Sequence, residues 1–77
     1  MTVGRVAAIG ERSRVAGLAL AGVLVLAAED ATAVRRSWRA LPDGVDLVVL
    51  TPAAAEALGV RTEPSGPRGP LITVMPS

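Results

Sequence analysis

Cysteine, histidine, tyrosine and phenylalanine are absent from the 77 residues, and all eight basic residues are arginine, so lysine is absent too. Each absence closes a class of chemistry. Without cysteine there is no disulfide, no thiolate nucleophile and no thiolate-bound metal. Without histidine, lysine or tyrosine, proton transfer and nucleophilic attack fall to carboxylates and hydroxyls, and no serine stands in a Gly-x-Ser-x-Gly elbow. The residues therefore disfavour an enzyme, and no cofactor is expected. Trp38 is the only aromatic. Large rings bury roughly 150–250 Å² each, so this core has to be built from Ala, Val, Leu and Ile. A chain of this length buries only about 60% of its unfolded surface, and the expectation is a thinly stabilised single domain that gains from a partner.

An excess of either charge is lacking as well. Eight Arg against seven acids leave a net charge of +1, which gives no electrostatic footprint for nucleic acid. The distribution is uneven: residues 1–41 hold six Arg and three acids (+3), and residues 42–77 hold two Arg and four acids (−2).

What the chain does have is rhythm. Val3 to Ile9, Val23 to Ala27, Val45 to Leu50 and Leu71 to Met75 are apolar at nearly every position, the mark of strands covered on both faces. Between them lie helix signals. Gly10 ends the first run, and a helix is expected from about residue 11 to 21, with Val15, Leu18 and Ala19 on one face and Gly22 as its stop. Asp30 or Thr32 can cap a second helix over about 30–41, where Ala31, Val34, Trp38 and Leu41 form an apolar stripe opposite Arg35, Arg36 and Arg39. Thr51-Pro52 starts a third, ending near Leu58. Residues 59–70 carry three prolines and read as an irregular loop. Right-handed crossovers then give a small α/β domain: a four-stranded parallel sheet, order 2-1-3-4, with the first helix on one face and the other two on the opposite face, in the doubly wound, Rossmann-like manner.

A secretory signal is the rival reading of the N-terminal part. Arg5, Arg12 and Arg14 precede fourteen uncharged residues, Val15 to Ala28, and Ala31-Thr32-Ala33 mimics a cleavage site. Glu11, and Glu29-Asp30 where the cleavage region should be uncharged, speak against it. Fourteen residues as helix also cover only about 21 Å of a roughly 30 Å hydrocarbon layer.

In such a fold a site lies at the carboxyl ends of strands 1 and 3, which selects Gly10, Glu11, Arg12, Ser13, Leu50 and Thr51. The loop Gly10, Arg12, Ser13, Arg14 offers helix-start amides and two guanidinium groups to a small anion. Against a nucleotide, Gly10, Gly17 and Gly22 lack the spacing of a dinucleotide fingerprint. A phosphoacceptor site would need an Asp where Leu50-Thr51 stands. Arg35, Arg36 and Arg39 are either a solvated helix face or a docking surface, and Trp38 belongs to the core by its place on the stripe. Glu11 and Asp30 are most simply helix-start residues that complement the dipole.

Three segments together carry a resemblance. Ile9-Gly10 followed by Ser13-Arg-Val-Ala-Gly-Leu-Ala-Leu-Ala-Gly-Val23, Val48-Val49-Leu50-Thr51 with the helix from Pro52 to Leu58, and Pro70-Leu-Ile-Thr-Val-Met-Pro-Ser77 occur in the order of the corresponding elements of the F subunit of the V-type and archaeal-type rotary ATPases. The chain resembles that family over nearly its whole length. The resemblance implies a non-catalytic component of the central rotor stalk. It implies docking on the coiled-coil D subunit of the stalk, help in coupling ATP turnover to ion translocation, and a cytoplasmic place peripheral to the membrane. Arg35, Arg36, Arg39 and Arg68 are then the candidate partner-binding residues. Three departures stand out: Leu18 replaces an aromatic after Gly17, Glu11 replaces a common Asp, and the sequence stops at Ser77, before the family's C-terminal helical tail. The alternative expectation is a stand-alone flavodoxin-like domain holding a small anion at Gly10 to Arg14.

Overall fold

The computed structural model describes residues 5–59 and 71–76. Its elements follow in the order β1 (Arg5–Gly10), α1 (Arg12–Val15) continued by a 3₁₀-helix (Ala16–Ala21), β2 (Leu24–Ala27), α2 (Ala31–Arg39), β3 (Val45–Leu50), α3 (Pro52–Leu58) and β4 (Leu71–Val74). The four strands form one sheet in the order β2-β1-β3-β4, and every pairing is parallel. This is the α/β arrangement that the apolar runs predict.

β1 is central and carries the tightest packing. Ala7, Ala8 and Ile9 are all buried, and two consecutive alanines let helices approach this strand closely from either side. On one face Ile9, Val48 and Leu50 meet Val34 of α2 and Ala54 and Ala55 of α3, with Leu26, Trp38, Leu41, Ile72 and Val74 closing around them. On the other face α1 packs on β1 and β2 and buries Val15. The apolar stripe of α2 differs from expectation at its start: Ala31 is exposed, and Ala33 packs on the core instead.

Local chemistry sets the boundaries. Asp30 caps α2 by accepting the Ala33 N–H at 2.7 Å, and Thr51 caps α3 by accepting the Ala54 N–H at 3.2 Å, with Pro52 at the first helical position. The pairing of β1 with β3 shifts register between Arg5 and Val6, and there the Asp46 carboxylate accepts the Arg5 N–H at 3.2 Å.

The expected α-helix over 11–21 is corrected. Only Arg12–Val15 is α-helical, and Ala16–Ala21 winds as a 3₁₀-helix. Beyond Val15 the segment buries no residue fully, Leu18 being half-buried, so little packing holds it to α geometry and the tighter turn prevails. Gly22 ends it at φ 81°, where its N–H reaches Ala19 O at 3.1 Å and Val23 N–H reaches Leu18 O at 3.3 Å. The uncharged stretch Val15 to Ala28 is thereby broken into a helical turn and a strand. No helix among the described residues is long and apolar enough to cross a membrane.

Candidate functional site

The carboxyl edge of the sheet is stitched strand to strand just beyond the ladders. Ala28 N–H donates to Gly10 O at 2.8 Å, Thr51 N–H to Ile9 O at 3.2 Å, and Met75 N–H to Leu50 O at 2.8 Å. The residues directly after β2, β3 and β4 are thus each tied back to the neighbouring strand.

Thr51 is the hub of that edge. It is 0% exposed, which a hydroxyl tolerates only when its hydrogen bonds are made. The Oγ1 hydroxyl donates to Glu11 Oε1 at 2.6 Å while accepting the Ala54 N–H at 3.2 Å. One side chain so joins the loop after β1 to the cap of α3. Gly10 is what lets it sit there: a Cβ at this position would overlap Thr51 Cγ2 and stand 2.5 Å from Oγ1. Glycine is therefore required at 10 for space, not for a special backbone angle.

The Glu11 carboxyl is held below its ordinary value of 4.5, first by the Thr51 hydroxyl and then by its own backbone N–H, with a smaller contribution from the Arg14 charge; partial desolvation opposes them. It remains an anion that anchors structure across physiological pH.

The loop residues expected to gather an anion are placed as follows. The Arg12 N–H donates to Glu29 Oε2 at 2.9 Å, and the Arg14 N–H to Glu11 O at 2.9 Å. The Arg14 guanidinium donates through Nη2 to Pro76 O at 2.8 Å, tying α1 to the chain just after β4. Ser13 is exposed. An incoming anion at the Arg12 amide would have to displace a carboxylate already bonded to it.

Beside this edge, between α2 and α3, opens a cleft of ≈ 520 Å³. Its apolar floor comes from Ala28, Val34, Ala54 and Ala57, and its charged lining, among the described residues, from Glu11, Glu29, Asp30 and Glu56 with Arg35 as the one cation. Four carboxylates to one guanidinium make the cleft acidic, a property that repels anions. In the sequence Glu11 and Asp30 read only as helix-start residues. The signal for the cleft is the acid pair Glu29-Asp30 directly after β2, taken together with Glu11 after β1. Among the described residues no three acids are grouped so as to hold a metal ion.

Arg35, Arg36 and Arg39 are exposed and, with Thr32, line a shallow depression on the outer side of α2. Trp38, on the same helix, is half-buried against the core. Arg68 lies outside the described residues. Compared with models of known protein families, with characterised proteins and with solved structures, the chain gives no match.

Proposed function

We propose that the chain is a non-catalytic component of the central stalk, equivalent to the F subunit, in a V/A-type rotary ATPase or ATP synthase. In that role it docks on the coiled-coil D subunit and helps couple ATP turnover to ion translocation. The reading rests on the resemblance of the three segments, and one observation supports it in particular. Ile9-Gly10, Leu50-Thr51 and Met75, far apart in sequence, are neighbours on one hydrogen-bonded edge. Segments that resemble one family in order are thus also joined in space, as parts of one structural unit would be.

The stitched edge suits a passive fitting. Its polar groups bond to one another, Thr51 to Glu11 and Ala54, Arg12 to Glu29, and so serve rigidity. A rotor component has to transmit force without yielding, and groups committed to internal bonds serve that end better than groups held ready for a substrate. The membrane is reached only through the complex. The docking face assigned to the exposed row Arg35, Arg36 and Arg39 calls for an acidic stripe on the coiled coil.

Co-expression with the coiled-coil stalk protein of a rotary ATPase from the same genome tests the reading: a stable complex is expected on size-exclusion chromatography. Arg35→Glu combined with Arg39→Glu should release it. A complex that survives the double reversal refutes the docking face while leaving the stalk role standing; no complex with the unaltered chain refutes the role. The anion-binding alternative predicts a rise in melting temperature with millimolar phosphate or nucleotide, and the acidic cleft leads us to expect none.

A further inference from the structure

We propose that β4 is a latched strand: it detaches from the sheet while β1, β2, β3 and their helices stay folded, and Arg14, reaching from α1, is the latch that sets how often this happens. A folded chain opens locally in units, and the cost of each opening follows the packing that the unit carries. β4 carries little. Among the described residues the buried side chains come from β1, α1, α2, β3 and α3 and from Ala28 and Thr51 just after β2 and β3, and β4 supplies none. Its share in the core is Ile72 and Val74, both half-buried, while Leu71 is 60% exposed. Among the described residues β3 is its one strand neighbour.

The other edge strand is anchored differently. β2 also has a single neighbour, β1, but α1 packs on it, and the chain then runs straight into Ala28, which is buried and bonded to Gly10 O, and Glu29, which accepts the Arg12 N–H. β4 runs instead into a half-buried Met75 and an exposed Pro76. Opening β2 would pull a buried residue out with it; opening β4 would not.

Two bonds hold the far end of β4. Met75 N–H donates to Leu50 O at 2.8 Å, and one residue on, Pro76 O accepts from Arg14 Nη2 at 2.8 Å, across 62 positions of sequence. β3 lies between β1 and β4, so the second bond passes over the end of β3 and joins α1 to a strand that β1 does not reach. The base of this latch is fixed. Arg14 N–H is bonded to Glu11 O, and the Glu11 carboxylate accepts the Thr51 hydroxyl. One short segment therefore holds the end of β3 by its first residue, Glu11, and the end of β4 by its last, Arg14. A charged donor makes the Arg14 bond one of the stronger kind. It is nevertheless exposed, so water replaces it without leaving a buried group unpaired, as a reversible latch requires. Release uncovers the outer side of β3 from Leu47 to Leu50, where β4 was paired.

Native-state hydrogen exchange on the purified full chain, read by NMR, provides the test. The amides that close the carboxyl edge are the probes: Met75 for β4, Ala28 and Thr51 for the rest. Met75 is expected to exchange faster than the other two and with a weaker dependence on denaturant, the mark of an opening that exposes little surface. Arg14→Met, which keeps the aliphatic stem and removes the donor, should speed Met75 roughly fivefold, as the loss of one hydrogen bond does, and leave Ala28 and Thr51 at their former rates. Arg12→Met, on the same helical turn, should alter none of the three. Met75 exchanging in step with Ala28 and Thr51 overturns the proposal, as does an Arg14→Met chain in which all three amides speed alike or Met75 does not speed at all. An equal effect of Arg12→Met on Met75 overturns it too. The rates are read on the isolated chain, so failure to bind a coiled-coil stalk has no bearing on them.

Discussion

The carboxyl edge of the sheet and the lateral edge at β2 are built on opposite principles. Along the first, polar groups are bonded to one another across four strands, and the central hydroxyl of Thr51 is sealed from water. Along the second, the 3₁₀-helix and β2 present alanine, glycine and leucine to solvent, with Leu20 almost wholly exposed. The two edges differ in what a substitution can damage. At the carboxyl edge each group is positioned by several others, so one change disturbs the set; at the β2 edge a residue has few partners to lose.

The sharpest way to break this contrast is Gly10→Ala. The added methyl overlaps Thr51 and is expected to cost about 3 kcal/mol, the upper end of the usual penalty for overpacking, against a total of only about 5–15 kcal/mol for a folded domain. Urea unfolding followed by circular dichroism measures it. Trimming the neighbour should not restore stability, because Thr51 Cβ itself would stand 2.8 Å from the new atom. Recovery in Gly10→Ala with Thr51→Ala would show that the edge is more pliant than its packing suggests.

Thr51→Val ranks second. It keeps the shape but removes the cap of α3 and the partner of Glu11, a loss of about 1–2 kcal/mol at neutral pH. The pH dependence has a definite sign. Glu11 is held below its ordinary value of 4.5, so its contribution is complete above that value and fades as the pH falls through the lower, folded value. The gap in stability between the unaltered chain and Thr51→Val should therefore narrow from pH 7 to pH 3, and a gap that stays constant would detach Glu11 from the hub.

The smallest effect is expected at the other edge. Leu20→Ser should change monomer stability by less than about 0.5 kcal/mol, as surface substitutions usually do. A larger loss in a thermal melt of the dilute chain would show that Leu20 is engaged in the monomer and erase the distinction between the two edges.

How much of this can be read from the residues follows from how local each cause is. The strands at 45–50 and 71–74 announce themselves through β-branched and aliphatic runs broken only by Asp46, and their order follows from crossover handedness, so the sheet is legible. The caps at Asp30 and Thr51 are legible for the same reason, since each acts within a few residues of itself. The helix after β1 is not: its α-helical pattern at Val15, Leu18 and Ala19 is real, but too little core lies beneath Ala16–Ala21 to enforce it. The hub is hidden too. Thr51 reads as one more helix start until the fold brings Glu11 beside it, 40 positions earlier in the chain, and the spatial role of Gly10 cannot be separated in sequence from an ordinary strand stop. The acidic cleft needs the loops after β1 and β2 to converge with α3, and only the pairing of β1 between β2 and β3 makes them do so.

The placing of β1 in the middle of the sheet has a further effect on how the molecule comes into being. Both of its neighbours are encoded downstream: Ala7 aligns with Leu24 on one side and with Val48 on the other. On a ribosome the first strand therefore emerges with no companion, gains β2 after one short crossover, and waits for a further stretch of synthesis before its second flank is covered. Pairings this distant in sequence form slowly and leave apolar segments open in the interval. For this chain the nascent stage, with β3 still to come, is when its Ala- and Val-rich interior is most available to chaperones or to misassembly.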